Sequence, residues 1–199
     1  MTALRYRLRR SLERAAKRFN HALNQFDPTT GEKTYPERMV SYYFVRAVGE
    51  ALQGANVLLE MPVTIGGRQD NHIDALIYSE QEVVLAEFKR GWAPSHWKSL
   101  ATDYERLQRV SLTKEIQSKF RIRCPRRAYI FLGTDCWVEW IGEIWKTGES
   151  SRGWTLPKML HETTRDYVRV YKCEPDDKGK GYDGYYFAWA LAPYDRTFA

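Results

Sequence analysis

The sequence predicts a mixed α/β (α+β) fold in which short β-strands alternate with amphipathic helices. Two short apolar runs in HIDALIYSEQEVVLAEFKR predict a β-hairpin with its turn near Ser79 to Glu82. The preceding segment, PERMVSYYFVRAVGEALQG, has apolar residues at helical spacing. The chain has 199 residues, 43% of them hydrophobic, which is enough for a sizeable core. We therefore expect one domain spanning residues 1–199.

Residues 1–26 predict a basic amphipathic helix. Its apolar positions follow helical spacing at Leu4, Leu8, Leu12, Ala15, Phe19 and Leu23. Seven Arg or Lys residues and one acid, Glu13, give residues 1–20 a charge of +6, which equals the net charge of the whole chain. Such a cationic face favours contacts with nucleic-acid phosphates. The alternatives are a solvated helix docked on the domain and a helix that forms a homodimer contact.

Residues 36–146 form the predicted core of the domain. Pro36 suits the first turn of the helix that follows it. An apolar run around Glu60 predicts a strand before the hairpin, and a helix is expected after Pro94. The run from Ala128 to Leu132 predicts another strand, and residues 137–146 a short helix.

Residues 147–199 predict a C-terminal extension with a β-hairpin. Residues 166–173 and 185–191 alternate like strands across a connection rich in Gly, Asp and Lys. Tyr185, Phe187 and Trp189 then share one face. Stacking on nucleic-acid bases is one use for such a face, and packing against the core is the favoured interpretation.

The central hairpin brings two acids and a lysine together. A turn centred between Glu80 and Gln81 places Asp74 directly opposite Glu87, with Cβ atoms roughly 4.5–5.5 Å apart. Lys89 lies two residues beyond Glu87 and so points to the same face. Leu76, Val83 and Leu85 share this face, which predicts that it is largely buried.

Two carboxylates so close repel each other by roughly 3 kcal/mol at an effective dielectric constant near 20. A divalent cation between them reverses the sign of that energy, and oxygen ligands favour Mg²⁺ or Mn²⁺ over zinc. Lys89 adds a group that can hold a phosphate or steer a water. The pattern therefore predicts a metal-dependent site that cleaves phosphodiesters. The alternative is an exposed pair of acids with Lys89 as their partner.

Other acids and one histidine near this pattern are secondary candidates. Glu37 lies on the side of the apolar stripe of its helix, although acids are also favoured in a first helical turn for electrostatic reasons. Glu50 lies nearer the edge of the stripe and ranks second. A structural role is favoured for Glu60. His72 is two residues before Asp74, on the same predicted face, and a structural role is favoured for it too.

The order of these elements resembles that of the PD-(D/E)XK nuclease superfamily. The order is a helix with Glu37, a strand with Glu60, a strand with Asp74, a strand with Glu87, Phe88 and Lys89, and a further helix. The resemblance covers about residues 36 to 135. It departs from the family pattern at Ile73, which stands where the motif has proline.

This resemblance implies a restriction-endonuclease-like fold, with a central mixed β-sheet of four or more strands flanked by helices. It implies that Asp74, Glu87 and the Phe88 carbonyl bind Mg²⁺ or Mn²⁺. Lys89 would then position or deprotonate the attacking water, and Glu37 would contact the metal, directly or through water. The expected function is a metal-dependent nuclease, with DNA favoured over RNA. A non-catalytic nucleic-acid-binding module on the same fold is the alternative, and a structural or partner-binding protein is a third.

Basic residues supply the expected nucleic-acid contacts. A second cluster without acids runs from Lys119 to Arg127, before a predicted strand, and is expected to line one mouth of the site. The candidate contacts are Arg5, Arg9, Arg10, Arg68, Arg121, Arg123, Arg126 and Arg127. Arg106 and Lys98 are weaker candidates on the helix after the hairpin, where a surface ion pair is the favoured interpretation.

Several other classes of protein are disfavoured. No apolar run is long enough to span a membrane, and the N-terminus lacks the apolar stretch of a signal peptide. The three cysteines, Cys124, Cys136 and Cys173, are far apart, which favours a reducing cytoplasm over a disulfide framework. The chain has no phosphate-binding glycine loop and no Gly-x-Ser-x-Gly, which argues against ATPases and common serine hydrolases.

Overall fold

Six β-strands form one mixed sheet in the described part of the chain. The structure is a computed structural model that describes residues 2–26, 37–65, 68–90, 94–110, 127–136, 139–149, 155–161, 163–171 and 184–194. The strands are β1 (Asn56–Ile65), β2 (Arg68–Tyr78), β3 (Glu82–Arg90), β4 (Arg127–Cys136), β5 (Thr164–Tyr171) and β6 (Tyr185–Pro193). Their order is β1-β2-β3-β4-β6-β5, and only β3 and β4 pair in parallel. The predicted mixed α/β fold is confirmed.

Helices cover both faces of this sheet. They are α1 (Thr2–Phe26), α2 (Glu37–Ala51), α3 (Pro94–Gln108) and α4 (Glu139–Thr147), with a short 3₁₀-helix at Lys158–Leu160. One apolar cluster joins α1 and α2 to one face, and a second joins α3 and α4 to the other. We call these the α1/α2 face and the α3/α4 face. Among the described helices, none is long and apolar enough to cross a membrane.

The turn between β2 and β3 sets their register. The Ser79 hydroxyl accepts the backbone N–H groups of Gln81 and Glu82, and the Ser79 N–H donates to the Glu82 carbonyl at 2.8 Å. The last recorded pair of this ladder is Ala75 opposite Ala86. Asp74 and Glu87 would form the next pair in this register, as the alternation predicts, but the ladder ends before it.

The outer part of the β1–β2 ribbon bends at Glu60. This residue has φ of 48°, a left-handed conformation, and lies between the pairs Leu59–Ala75 and Met61–Ile73, where it faces Asp74. Strict alternation would place Met61 and Ile73 on the α1/α2 face. Both instead pack in the α3/α4 cluster. We call residues 61–65 and 68–73 the arm. Its tip meets the chain two residues beyond α3 through a bridge between Ile65 and Val110.

The predicted C-terminal hairpin is part of the central sheet. Its second strand, β6, lies between β4 and β5 and pairs with both. Tyr185, Phe187 and Trp189 are buried in the α1/α2 face, and the Phe19 ring lies 5.3 Å from that of Phe187. The packing interpretation is therefore confirmed, and the alternative that these rings stack on bases is wrong because nothing outside the protein can reach them.

Helix α1 is docked on the domain through its apolar side, as its spacing predicts. Its buried residues are Leu4, Leu8, Leu12, Ala15, Ala16 and Phe19. The Arg7 side chain donates to the Ala51 carbonyl at 2.7 Å and to Glu82 Oε2 at 3.0 Å. Arg14 and Arg18 both contact the Glu50 carboxylate, at 3.2 and 2.6 Å. Part of the basic face of α1 thus holds the helix to the rest of the protein.

A charged site where β2 leaves β3

Asp74 occupies the point where β2 separates from β3. Its Oδ2 accepts the backbone N–H of Phe88 at 2.7 Å. The recorded ladder between the two strands stops at Ala75 and Ala86, and a buried N–H group without a partner is costly. The carboxylate replaces the missing strand partner, so the bend in the ribbon also fixes the position of this acid.

Glu87 is buried beside it, with a relative exposure of 1%. It shares the α3/α4 face with Val83 and Leu85, in keeping with the predicted alternation. Arg106 on α3 donates from Nη2 to Glu87 Oε1, and from Nη1 to the His72 carbonyl of the arm at 2.6 Å. One guanidinium therefore joins the sheet, the arm and α3.

Lys89 and Asp103 extend the cluster. Lys89 Nζ lies 3.2 Å from Asp103 Oδ2, and Arg106 Nη2 lies 3.2 Å from Asp103 Oδ1. Asp103 thus lies between the two cations. We define the charged site as Asp74, Glu87, Lys89, Asp103 and Arg106. Its formal charges are three negative and two positive, so one negative charge is left when every group is ionised.

The protein alone balances this site by holding a proton on Glu87. Burial is the largest cause of a pKa raised from 4.5 to about 8, and the negative charge of Asp74 raises it further against the opposing effect of Arg106. The pKa of Lys89 is also raised, which favours the charged form of this group. Burial lowers its pKa, but the charges of Asp103, Glu87 and Asp74 outweigh burial and raise the pKa overall. Lys89 is therefore a cation at neutral pH.

The donor set suits a magnesium-like ion better than zinc. Within the described ranges, no group of three or more His, Cys, Asp or Glu side chains is placed to hold a metal ion. Structural zinc needs four such ligands and catalytic zinc usually three. Mg²⁺ is commonly held by one or two carboxylates, with waters and substrate phosphates filling its other positions. Asp74 and Glu87 fit that smaller requirement, and a cation would relieve their repulsion.

The backbone of α2 approaches this site from the opposite face of the sheet. Arg7 joins Ala51 at the end of α2 to Glu82 at the start of β3, while the Phe44 ring stacks on Phe88 with centroids 5.7 Å apart. The N-terminus of α2 therefore points toward the C-terminal end of β3, where Asp74 and Glu87 lie. The side chain of Glu37 is outside the described residues, so its role stays a prediction.

Three secondary candidates have other surroundings. Glu50 lies among Arg14, Arg18 and Arg46, and the hydrogen bonds from these arginines outweigh burial and lower its pKa. Its ranking as a site residue is wrong, because it anchors α1 to α2. Glu60 is exposed and contributes its left-handed backbone opposite Asp74. His72 has an exposed side chain and contributes its carbonyl to Arg106.

The predicted nucleic-acid contacts are dispersed. Arg5 and Arg10 are exposed on α1, and Arg9 lies near Glu13 and Asp166, all on the side of the sheet away from the charged site. Arg127 faces Glu82 at the start of β3, about 16 Å along the strand from Glu87. The expectation that this cluster borders the site is wrong for Arg127. The other candidates lie outside the described residues. They are Arg121, Arg123, Arg126 and the side chain of Arg68.

Two members of the site, Asp103 and Arg106, are not among the main candidates that the sequence indicates. They lie beside the apolar stripe of α3, a position for which a surface ion pair is the favoured interpretation. The structure corrects this for Arg106, because its partner Glu87 is buried on the sheet. The available signal is an acid and a base three residues apart, next to the apolar stripe of the helix that follows Glu87-Phe88-Lys89.

Comparison of the chain with protein-family models, with curated proteins and with solved structures finds no match.

Proposed function

We propose that the protein is a Mg²⁺- or Mn²⁺-dependent nuclease that hydrolyses phosphodiester bonds, preferentially in DNA, on a restriction-endonuclease-like fold. The observation that carries this proposal is that Asp74 accepts the backbone N–H of Phe88, the residue after buried Glu87, with Lys89 next along β3. The raised pKa of Glu87 supports it, because burial and the charge of Asp74 oppose ionisation of this carboxyl group despite Arg106, and a divalent cation would favour its ionised form.

Each residue of the site has a distinct role in this proposal. Asp74, Glu87 and the Phe88 carbonyl would hold the ion. When bound, such an ion polarises a phosphodiester and lowers the pKa of a coordinated water. Lys89 acts through its charge, because its raised pKa makes it a poor base at neutral pH. It orients the attacking water or stabilises charge on the phosphate in the transition state. Asp103 keeps the lysine protonated and in place.

A non-catalytic nucleic-acid-binding module on the same fold is the second candidate. One observation favours it: Arg106 already supplies Glu87 with a positive charge, which a site without metal needs. On this alternative, binding survives chelation with EDTA and no cleavage products form.

The deciding experiment is incubation with single- and double-stranded DNA and RNA, with Mg²⁺, Mn²⁺ or EDTA. Asp74→Asn, Glu87→Gln and Lys89→Met should each lower the rate by about 100-fold or more. Glu105→Gln is the matched control, because Glu105 is an exposed acid on the same helix as Asp103. Circular dichroism establishes that each variant is folded. If all three site variants cleave as fast as the control, the site is wrongly assigned.

A further inference from the structure

Arg106 is the most heavily engaged cation of the charged site. Its side chain is only 25% exposed, and its N–H groups contact Glu87, the His72 carbonyl and Asp103. These acceptors belong to the sheet, the arm and α3. A guanidinium has five N–H donors in a rigid planar fork, so it can lose one of these acceptors and remain held by the others.

A divalent cation at the site would compete directly with this arginine. Both need the carboxylate of Glu87, and two cations on one buried carboxylate repel each other strongly. Glu87 has little room to serve both, because it is enclosed on the α3/α4 face. Asp103 lies on the same helix as Arg106, three residues earlier, so their contact does not require Arg106 to remain on Glu87.

We propose that Arg106 is a built-in hydrogen-bond partner of Glu87 that is exchanged for the metal ion, and that the released guanidinium then binds a phosphate of the nucleic acid. The inference rests on the proposed function, since it assumes that Glu87 binds metal. Asp103 and the His72 carbonyl keep Arg106 at the site after the exchange. Its planar fork matches the oxygens of a phosphate group.

This exchange couples the binding of metal to the binding of nucleic acid. A phosphate that attracts Arg106 leaves Glu87 open to the ion, and an ion on Glu87 leaves Arg106 open to the phosphate. Each ligand must then strengthen the other by the same factor. A guanidinium with a merely structural role predicts no such coupling, because it would remain on Glu87 in every state.

The first test is calorimetric titration of Mn²⁺ into the protein without nucleic acid. Arg106→Gln should bind Mn²⁺ more tightly than wild type, within the roughly 5- to 150-fold range of ordinary coupling. Arg106→Lys keeps the charge and should stay close to wild type. Arg109→Gln is the control for net charge, because Arg109 is exposed three residues further along. Asp74→Asn should bind Mn²⁺ weakly or not at all.

A second measurement does not depend on a folded variant. Side-chain ¹⁵N spectra of wild type should show protected Arg106 N–H signals without metal and a clear change of these signals on addition of Mg²⁺. The third measurement follows a fluorescent 20-base-pair DNA by anisotropy. Mn²⁺ should increase the affinity of the Lys89→Met variant for this DNA. The increase should be smaller in a double variant that carries both Lys89→Met and Arg106→Gln.

The outcomes separate the inference from the proposed function. If wild type binds Mn²⁺ through Asp74 but Arg106→Gln has the same affinity and the Arg106 signals do not move, the exchange is overturned and the metal site stands. If neither wild type nor Arg106→Gln binds Mn²⁺, the metal-dependent function fails and the exchange fails with it. Weak binding by wild type with tight binding by Arg106→Gln supports the exchange.

Discussion

The backbone N–H of Phe88 donates to Asp74 Oδ2 at 2.7 Å, at the place where β3 loses β2 as a neighbour. This bond gives Asp74 two functions. The carboxylate completes the hydrogen bonding of a buried strand, and it presents a negative charge beside Glu87. Any substitution at this position therefore affects stability and chemistry together, and the two effects have to be separated.

Asp74→Asn and Asp74→Ala separate these effects. The alanine variant leaves the Phe88 N–H without an acceptor, and we expect a loss of about 1–3 kcal/mol in the free energy of unfolding. The asparagine variant keeps an oxygen acceptor for this N–H, so its stability should lie within about 1 kcal/mol of wild type. Urea denaturation measures both. Equal stability of the alanine variant and wild type would contradict a structural role for this hydrogen bond.

Glu87 should make the protein less stable as the pH rises. Its pKa is about 8 in the folded state, against 4.5 for the free side chain. Between these values the folded protein keeps a proton that the unfolded chain releases, so the free energy of unfolding falls by at most about 1.4 kcal/mol per pH unit. The stabilisation that comes from the proton on Glu87 is fully present below pH 4.5 and is lost above pH 8. Glu87→Gln should flatten this dependence in urea titrations from pH 5 to 8.5, and an unchanged slope would contradict it.

Metal binding should release a proton at neutral pH. A divalent cation needs ionised Glu87, which is mostly protonated below its pKa of about 8. At pH 6.5 we expect release of about one proton per Mn²⁺ bound, and at pH 9 almost none. Calorimetry in buffers with different ionisation enthalpies measures this number. Glu87→Gln is the control, and equal proton release by this variant would assign the proton to another group.

Gly133 controls the packing behind the site. A Cβ at this position would lie 3.0 Å from Phe88 Cδ1 and 3.1 Å from both Phe44 Cδ2 and Phe131 Cε1. Gly133→Ala should therefore cost about 1–3 kcal/mol of stability, and it should also reduce cleavage, because Phe88 holds Asp74. The matched substitution is Gly49→Ala in α2, where the added Cβ would meet nothing within 4 Å beyond its chain neighbours and the backbone of its own helix. It should stabilise by about 0.5–1 kcal/mol.

The arginines of α1 should divide into structural and ligand-binding groups. Arg7→Ala removes the partner of Glu82 and of the Ala51 carbonyl, so we expect a loss of about 1–3 kcal/mol in thermal or urea unfolding. Arg5→Ala and Arg10→Ala should change stability by less than about 0.5 kcal/mol. If α1 binds nucleic acid, each of these two substitutions should reduce the slope of log affinity against log salt concentration by about one unit. An unchanged slope would remove α1 from the binding surface.

Local patterns predicted the part of the site that lies on one hairpin. Asp74, Glu87 and Lys89 are separated only by a short turn, so alternation and the position of Ser79 determine which of them share a face. Arg106 reaches the site because α3 packs across the sheet, and helical periodicity predicts a buried stripe without specifying what its flanking residues meet. The left-handed Glu60 has no local signal, since this conformation is uncommon for glutamate.

The position of β6 inside the sheet has a consequence for synthesis of the protein. Until residues 185–193 leave the ribosome, one edge of β4 has no neighbour and β5 has no sheet to join. The strand left open in this way is buried in the folded protein along all but its first residue, and exposure of such a strand promotes aggregation of incomplete chains. We therefore expect nascent chains that stall before Tyr185 to aggregate more readily than the complete chain.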